Sequence, residues 1–497
     1  MIFGSAGSWA QDKPQARLGK VHLQVSCNAA AQREFNVAMA YYHSFAWNQM
    51  REPLERALEA DPSCGMVHWL RALGALNNPF AWPTVIPAAT LSEGPGILET
   101  AERTGLKSQR ERDYVKALGA FFKDADKLDH KARAKALEEA LEGVMKRYPK
   151  DTEAATIYAL VLSANFDPTD KKYTNQLKAA AILEPIFKAQ PQHPGAAHYL
   201  IHSYDYPPIA KKGVRAARSY SKIAPDAPHA LHMPSHVFTR VGAWKESIAS
   251  NAASARAGGD KSFDKWHAYD YMVYAHLQLG QRKEAAAIVE DALKNPARID
   301  HPATAYAYAA MPARLALERA AWKEAAGLEL FAAGEFPWKK YTFAEAVNAY
   351  ARGIGAAMSG DAAGARAQAE RLDRLREATK LPYWAEQVAI QAEVVRGLAL
   401  RAEGDKAKAL ATLRAAAKRE EATEKHVVTP GPIVPAREVL AYVQLEDGNA
   451  KAALADFESV LTREPNRYRA LAGAAQAAER AGDAKKAKQY AARLPAG

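Results

Sequence analysis

Residues 446–466, EDGNAKAALADFESVLTREPN, and residues 480–495, RAGDAKKAKQYAARLP, carry the same pattern of small, apolar and turn residues 34 positions apart. The clearest marker is Gly448, which recurs as Gly482. A fixed period of this length predicts a helix-turn-helix unit repeated along the chain, with the glycine in the turn. Similar turn signals occur upstream, at Gly242, Gly280, Gly360 and Gly404.

The better copy has further landmarks: Ala441 and Ala453 at close-contact places, Phe457 as a packing aromatic, and Pro465 after the second helix. These residues resemble the tetratricopeptide repeat (TPR) family. The resemblance implies an all-α fold, a TPR-type helical solenoid in which the units stack as a right-handed superhelix. We expect eight to ten units, several of them degenerate, over most of residues 32–494. The abundance of Ala, Leu, Glu, Lys and Arg agrees, because these are good helix formers.

Changes in this pattern divide the chain into six parts. They are an N-terminal segment (1–31), degenerate units (32–190), central histidine-rich units (191–300), further units (301–425), a Pro/Gly-rich loop (426–435) and C-terminal units (436–497). The chain also resembles long bacterial TPR proteins of uncertain role that carry HSF, HPGAAHY and HMPSH segments, here at 43–45, 193–199 and 232–236. That resemblance implies no activity, and the TPR fold alone implies a scaffold for peptides or partner proteins.

Histidines are concentrated in the central units. The interval from His198 to His232 is again 34 residues, which predicts that these side chains lie on neighbouring helices. In the TPR alignment they occupy the second, fifth and ninth places of a unit, which share one face of its first helix. In the TPR family that face lines the concave surface. The predicted metal ligands there are His198, His202, His229, His232, His236, His267 and Asp270.

Neutral imidazole is a common ligand for zinc, copper, iron and nickel, and pairs three or four residues apart on a helix can share one ion. The set exceeds what one structural four-coordinate ion needs. Two metals therefore bind, or one binds and the spare groups act on a substrate. Copper is our first choice, followed by zinc or iron. Two opposed groups of three imidazoles would resemble the dinuclear copper arrangement of tyrosinase-like enzymes, although their motifs and fold are absent.

Other side chains extend this candidate site. Arg240 lies one helical turn after His236, so it is predicted to hold a carboxylate or phosphate of a ligand. Tyr269 or Tyr271 is predicted to position the substrate. Asp205 is a candidate ligand or a partner that fixes an imidazole tautomer. His43, at another concave place, and His426, before the repeat-breaking loop, are further candidates.

One residue disturbs the helical face. Pro234 stands between His232 and His236, and a proline inside a helix removes a hydrogen bond. We therefore expect the helix to begin near Met233, which leaves His229 and His232 on its entry loop.

The central group could instead line a hydrophilic groove without metal. Buried polar rings without partners cost about 1–3 kcal/mol each, which favours the metal interpretation. The histidines outside this group are predicted to be surface or ordinary core residues: His22, His68, His130, His193, His276 and His301.

These patterns favour a metal-dependent oxidoreductase that acts on a small molecule in the concave groove. A zinc-dependent hydrolase would use the same residues. The same histidines also fit a non-catalytic metal-binding protein, and the repeats by themselves fit a TPR scaffold for a peptide or protein partner.

The net charge of +11 raises the question of nucleic acid. Lys and Arg alternate with Asp and Glu along the helices, and no nucleic-acid signature is present, so we expect no such partner. No apolar run approaches the roughly 20 residues that span a membrane.

The opening MIFGSAGSWAQDKPQ resembles the tail of a secretory signal, which predicts a periplasmic or secreted protein. In an exported protein Cys27 and Cys64 could form one disulfide, and the sequence leaves open whether they do.

Overall fold

A computed structural model describes residues 16–294, 299–332 and 334–495. The signal-like segment, residues 1–15, lies outside the described residues. The described chain forms 25 α-helices and three short 3-10 helices, with no strand. None of these helices is long and apolar enough to cross a membrane.

The helices, in chain order, are α1 Ala29–His43, α2 Arg51–Ala60, α3 Met66–Ala75, α4 Ala88–Thr104, α5 Gln109–Phe122, α6 His130–Arg147, α7 Thr152–Ala164, α8 Thr174–Ala189, α9 Pro194–Tyr204, α10 Val214–Ile223, α11 Pro228–His232, α12 Pro234–Val241, α13 Trp244–Gly258, α14 Phe263–Gln278, α15 Arg282–Lys294, α16 Pro302–Glu318, α17 Trp322–Ala326, α18 Thr342–Met358, α19 Ala362–Ala378, α20 Pro382–Ala402, α21 Lys406–Ala422, α22 Ala436–Glu446, α23 Ala450–Arg463, α24 Tyr468–Arg480 and α25 Ala484–Ala491. The 3-10 helices are Pro79–Ala81, Ala210–Gly213 and Trp338–Lys340.

The predicted solenoid is confirmed by the way these helices pack. Each helix contacts the next along most of the chain, and alternate helices also touch, as in the series α14, α16, α18, α20, α22 and α24. The turns between paired helices contain glycines in the left-handed region, where a side chain would be strained. Their φ angles run from 69° to 91°, at Gly242, Gly280, Gly360, Gly404, Gly448 and Gly482.

Two segments outside the repeat pattern pack against the central units. The 3-10 helix Pro79–Ala81 brings the ring of Phe80 onto that of His202. Residues 423–435, named here the closing loop, join α21 to α22 and fold back over α9 and α14. The loop is tied down by ion pairs of Glu424 with Lys171 and of Lys425 with Asp205.

The N-terminal units are fixed by a covalent bond. Cys27, just before α1, forms a disulfide with Cys64, just before α3, and 37 residues separate them. Closing a loop of that length stabilises a fold by about 4 kcal/mol in the chain-entropy treatment.

Candidate metal centre

Four helices of three consecutive units carry the central histidines. His198 and His202 are four residues apart on α9, and His236 lies on α12. His229 and His232 lie on α11, a five-residue helix rather than the expected entry loop. Both α11 and α12 have a proline at the first position, where the missing N–H does no harm, and the break between them falls at Met233 as predicted.

The first triad consists of His198, His202 and His229. The Nε2 atom of His198 lies 3.2 Å from Nε2 of His202 and 3.2 Å from Nε2 of His229. On its other side, Nδ1 of His198 donates a hydrogen bond to the backbone carbonyl of His43 at 2.7 Å. The lone pair of neutral His198 is therefore on Nε2, facing the other two rings.

The second triad consists of His232, His236 and His267. The Nε2 atoms of His232 and His236 are 3.0 Å apart, and the ring of His267 lies 4.4 Å from that of His232, centroid to centroid. Nδ1 of His267 is buried without a hydrogen-bond partner. One nitrogen from each ring lies within 4.8 Å of the other two, as in the first triad.

The proton positions in the second triad follow from its neighbours. Nδ1 of His232 lies 2.7 Å from Oδ1 of Asn251, whose amide nitrogen donates to the carbonyl of Ser247. The amide oxygen of Asn251 therefore faces His232, and Nδ1 of His232 is the donor. Nδ1 of His236 donates in the same way to Oδ2 of Asp205 at 2.8 Å.

Both Nδ1 atoms thus carry protons, so both Nε2 atoms of the neutral rings carry lone pairs, and these face each other at 3.0 Å. Protonating one ring would relieve the contact. Burial opposes this, because it lowers the pKa of His236 and lowers that of His232 well below its usual range. A bound cation relieves the contact without a proton.

The separations also suit a metal. Ligand nitrogens about 2.0–2.1 Å from a tetrahedral ion lie about 3.3 Å from one another. Nε2 of His198 lies 3.2 Å from Nε2 of His202 and of His229, and the Nε2 atoms of His232 and His236 are 3.0 Å apart, while the other nitrogen pairs of the triads lie within 4.8 Å. Burial lowers the pKa of the remaining rings well below the usual value as well, so they are neutral and available as ligands: His198, His202, His229 and His267.

The two triads are adjacent. The rings of His202 and His236 are 6.1 Å apart, and those of His229 and His232 are 6.3 Å apart. Of the six histidines, His229 is the one residue that is only partly buried. Two ions, one on each triad, would be neighbours.

The grouping differs from the predicted pairing. His198 meets His229, 31 residues on, rather than His232 at the repeat interval. The short helix α11 carries His229 back toward α9. His232 joins His267 instead, on the first helix of the next unit.

Asp205 accepts hydrogen bonds from three side chains beside the second triad. Its Oδ2 accepts from His236, and its Oδ1 accepts from Nε of Arg240 at 3.0 Å. Lys425 of the closing loop donates to Oδ2 at 3.0 Å. No sequence pattern pointed to Lys425, although its neighbour His426 was a candidate. Burial lowers the pKa of Lys425 to about 8, because desolvation outweighs the attraction of Asp205.

The tyrosine candidates lie on different sides of α14. The hydroxyl of Tyr271 is 3.4 Å from Nε2 of His236 and donates to the carbonyl of Thr429 at 3.1 Å, so Tyr271 joins the second triad to the closing loop. Tyr269 donates instead to Asp291 at 2.7 Å. Two residues along a helix rotate the side chain by about 200°, which carries Tyr269 away from the face of His267.

Asp270 belongs to neither triad. Its Oδ1 accepts from Nε of Arg314 at 2.8 Å, and both side chains are buried. Arg314 also donates to the carbonyl of Pro432 and to Oγ1 of Thr429. In this arrangement Asp270 helps to anchor the closing loop.

A third buried cluster contains Glu153 between His43 and His193. Its carboxylate oxygens accept from Nε2 of His43 at 2.8 Å and from Nε2 of His193 at 2.7 Å. The second nitrogens are also satisfied, because Tyr199 donates to Nδ1 of His43 and the amide of Ala196 donates to Nδ1 of His193. This cluster is a complete hydrogen-bond network, and it holds the residue whose carbonyl orients His198.

The remaining histidines are separate from the triads. Nδ1 of His426 accepts from the amide of Val428, and its ring packs 4.8 Å from that of Trp384. His276 contacts Gln281, and His301 caps the start of α16.

No protein-family model matches the chain, and no curated protein matches it. It is similar to several solved helical-repeat structures. The human IFIT1 dimer with m7Gppp-AAAA has 12% identity and a TM-score of 0.40, with 95% of each chain covered. Yeast Tom70 has 14% identity and a TM-score of 0.33, with 92% of this chain and 91% of that chain covered. The P58(IPK) TPR domain has 11% identity and a TM-score of 0.22, with 92% of this chain and 100% of that chain covered. These similarities concern the fold alone.

Proposed function

We propose that this protein is an exported metalloprotein whose two triads each bind one copper ion. The two copper ions together would oxidise a small molecule with O₂. The observation that carries the proposal is the 3.0 Å contact between Nε2 of His232 and Nε2 of His236. Both atoms carry lone pairs and no proton lies between them. A cation bound by these nitrogens turns a repulsive contact into a favourable one.

The donor set supports copper. Non-haem iron commonly takes two imidazoles and a carboxylate, whereas each triad offers three imidazoles and no carboxylate. The negative charge of Asp205 is already offset by Arg240 and Lys425. Buried charge without compensation is costly, so neutral ligands favour an ion of low charge, and Cu(I) meets this condition better than Zn²⁺.

Two neighbouring copper ions would supply a two-electron exchange with O₂. The reaction class is a dehydrogenation in which the substrate loses two electrons and two protons and O₂ is reduced to H₂O₂. The chain's own residues orient the imidazoles and cover them: Asn251 and Asp205 fix the ring tautomers of the second triad, and Phe80 stacks on His202. Arg240 acts through Asp205 as a positioning residue.

Export is supported by the disulfide between Cys27 and Cys64, because such bonds persist in oxidising compartments. The periplasm or the extracellular medium meets that condition.

The test is elemental analysis of untagged protein, since an affinity tag adds histidines of its own. We expect about two copper ions per chain after loading with Cu(I) and removal of excess metal. The double variant His202→Ala, His236→Ala removes one imidazole from each triad and should hold less than one ion. Copper retained at one equivalent or more by that variant would place the ions elsewhere.

Oxygen uptake by the loaded protein with a panel of small reductants then tests catalysis. Uptake that depends on both copper and substrate supports the oxidase. Two bound copper ions without uptake identify a metal-binding or metal-delivery protein. Three imidazoles with an open position also suit catalytic zinc, so preferential zinc loading with hydrolytic activity would identify the hydrolase. Absence of any metal would leave a scaffold for a peptide or protein.

A further inference from the structure

A separate cleft opens on the far side of Asp205 from the second triad. It lies between α16, α18, α20, α21 and the closing loop and is open to solvent at its mouth. Its wall contains Arg240 and Lys425 together with five aromatic rings, those of Tyr306, Phe343, Tyr350, Tyr383 and Trp384. Asp205 lies between the cleft and the metal centre, because it contacts both His236 and Arg240.

Arg240 has an unused donor in this wall. Its Nε donates to Asp205, but its Nη2 is buried without any hydrogen-bond partner, and the residue is only 4% exposed. A buried donor of a charged group without a partner costs more than a neutral one, so an acceptor in the cleft would be bound favourably. Asp205 pairs with both Arg240 and Lys425, and the carboxylates of Glu464 and Glu424 also act on Arg240, but none of them accepts a hydrogen bond from its Nη2.

The acidic groups of the cleft are already engaged. Glu421 pairs with Arg437, and Glu424 pairs with Lys171 at 2.7 Å. Glu420 accepts from the amide of Ala436 at 2.9 Å, and burial raises its pKa to about 7.

The remaining charged groups of the wall also have partners. Glu464 is 3.4 Å from the hydroxyl of Tyr274. Arg463 donates to two backbone carbonyls. Among the charged side chains that line the cleft, all within the described residues, Arg240 alone leaves a buried polar nitrogen unpaired.

The aromatic rings form one continuous wall. Trp384 stacks on Phe343 with centroids 4.5 Å apart, and it lies 5.4 Å from Tyr306 and 5.1 Å from Tyr383. Aromatic walls favour a flat apolar ring over an aliphatic one of the same size, through stacked and edge contacts.

We propose that this cleft binds a small aromatic carboxylate, with the carboxylate on Nη2 of Arg240 and the ring against Trp384 and Phe343. This site adjoins the metal centre through Asp205, but the predicted binding needs no bound ion.

Titration calorimetry on the metal-free, full-length protein tests the proposal with four probes. Benzoate should bind at least ten times more tightly than benzyl alcohol, which lacks the charge, and than benzylamine, which reverses it. Cyclohexanecarboxylate keeps the charge without the aromatic ring and should bind several times more weakly than benzoate. Equal affinities for benzoate and benzylamine, or no benzoate binding at millimolar concentration, would overturn the anion site. Equal binding of cyclohexanecarboxylate would overturn the aromatic selectivity.

Two matched variants test whether Arg240 is the residue that binds the carboxylate. Arg240→Gln should weaken benzoate binding by about 10–100-fold, the usual range for a hydrogen bond to a charged group. Arg463→Gln removes another arginine of the same wall, one with backbone partners, and should change the affinity less than about threefold. Equal losses in both variants would contradict the assignment to Arg240. If Arg240→Gln does not fold, the four probes on the unmodified protein still decide.

If the proposed metal centre is wrong, the protein will not bind copper, and the benzoate result will be unaffected. Failure of this proposal would leave the copper stoichiometry unaffected.

Discussion

The protein buries two kinds of histidine cluster side by side, and they satisfy their nitrogens in opposite ways. In the cluster of His43, Glu153 and His193, each ring nitrogen has a hydrogen-bond partner within the chain. In the second triad, both outer nitrogens of His232 and His236 are donors and the inner ones face each other. The comparison distinguishes a network whose ring nitrogens are all hydrogen-bonded within the chain from a triad whose inner nitrogens have no donor between them, which is the basis of the proposed metal site.

The largest expected effect is the loss of one ion. His236→Ala should lower copper from about two ions per chain to one. His193→Ala removes a histidine from the complete network and should leave two. Elemental analysis of the folded, untagged variants measures both. Fewer than two copper ions per chain in His193→Ala, or two in His236→Ala, would contradict the proposed difference between the two clusters.

The next effect concerns stability without metal. Glu153→Ala leaves the N–H groups of His43 and His193 buried without an acceptor. We expect it to lower the free energy of unfolding by about 3–5 kcal/mol, as when one partner of a buried pair is removed. Glu153→Gln keeps the shape and one acceptor oxygen and should cost less. Urea denaturation of metal-free protein provides the measurement, and an unchanged midpoint for Glu153→Ala would disprove the role of the network.

A smaller effect is expected from the groups that orient the ligands. Asn251→Ala removes the acceptor that fixes the tautomer of His232 and should weaken copper binding by about 10–100-fold. Asn251→Asp keeps an acceptor in place and should retain the affinity. Competition with a copper chelator of known affinity distinguishes the two variants, and equal weakening in both would argue against tautomer control.

The smallest effect is expected from a change in the cluster of His43, Glu153 and His193. Tyr199→Phe removes the donor to Nδ1 of His43 at 2.9 Å. We expect a loss of about 1–3 kcal/mol of unfolding free energy, with no change in copper content. A change in copper content with stability intact would mean that Tyr199 serves the metal centre.

The sequence predicted the parts of the protein that depend on local periodicity. The turn glycines at 242, 280, 360, 404, 448 and 482 were found because one backbone conformation recurs at each helix-helix turn. Six of the predicted ligands belong to two compact groups in the structure, although these groups do not pair the matched places of successive units. Asp270 was predicted to join them, but it belongs to neither group and pairs with Arg314, which comes from another helix.

Other features depend on packing between distant segments and could not be predicted. The division into triads follows from α11, whose position after a break at Met233 decides that His229 meets His198. Asn251 reaches His232 from the second helix of the unit, and Lys425 reaches Asp205 across 220 residues. No period in the sequence encodes these contacts, because each joins places that are not equivalent in the repeat.

The contact of Lys425 with Asp205 also limits how this chain can evolve. Solenoids usually gain and lose whole units, because each unit contacts only its neighbours. Here the closing loop returns to α9, so a unit inserted or deleted between them would move Lys425 away from Asp205. The number of units in that stretch is therefore fixed by geometry. Units cannot be added or removed there as they can in other repeat proteins without breaking this contact.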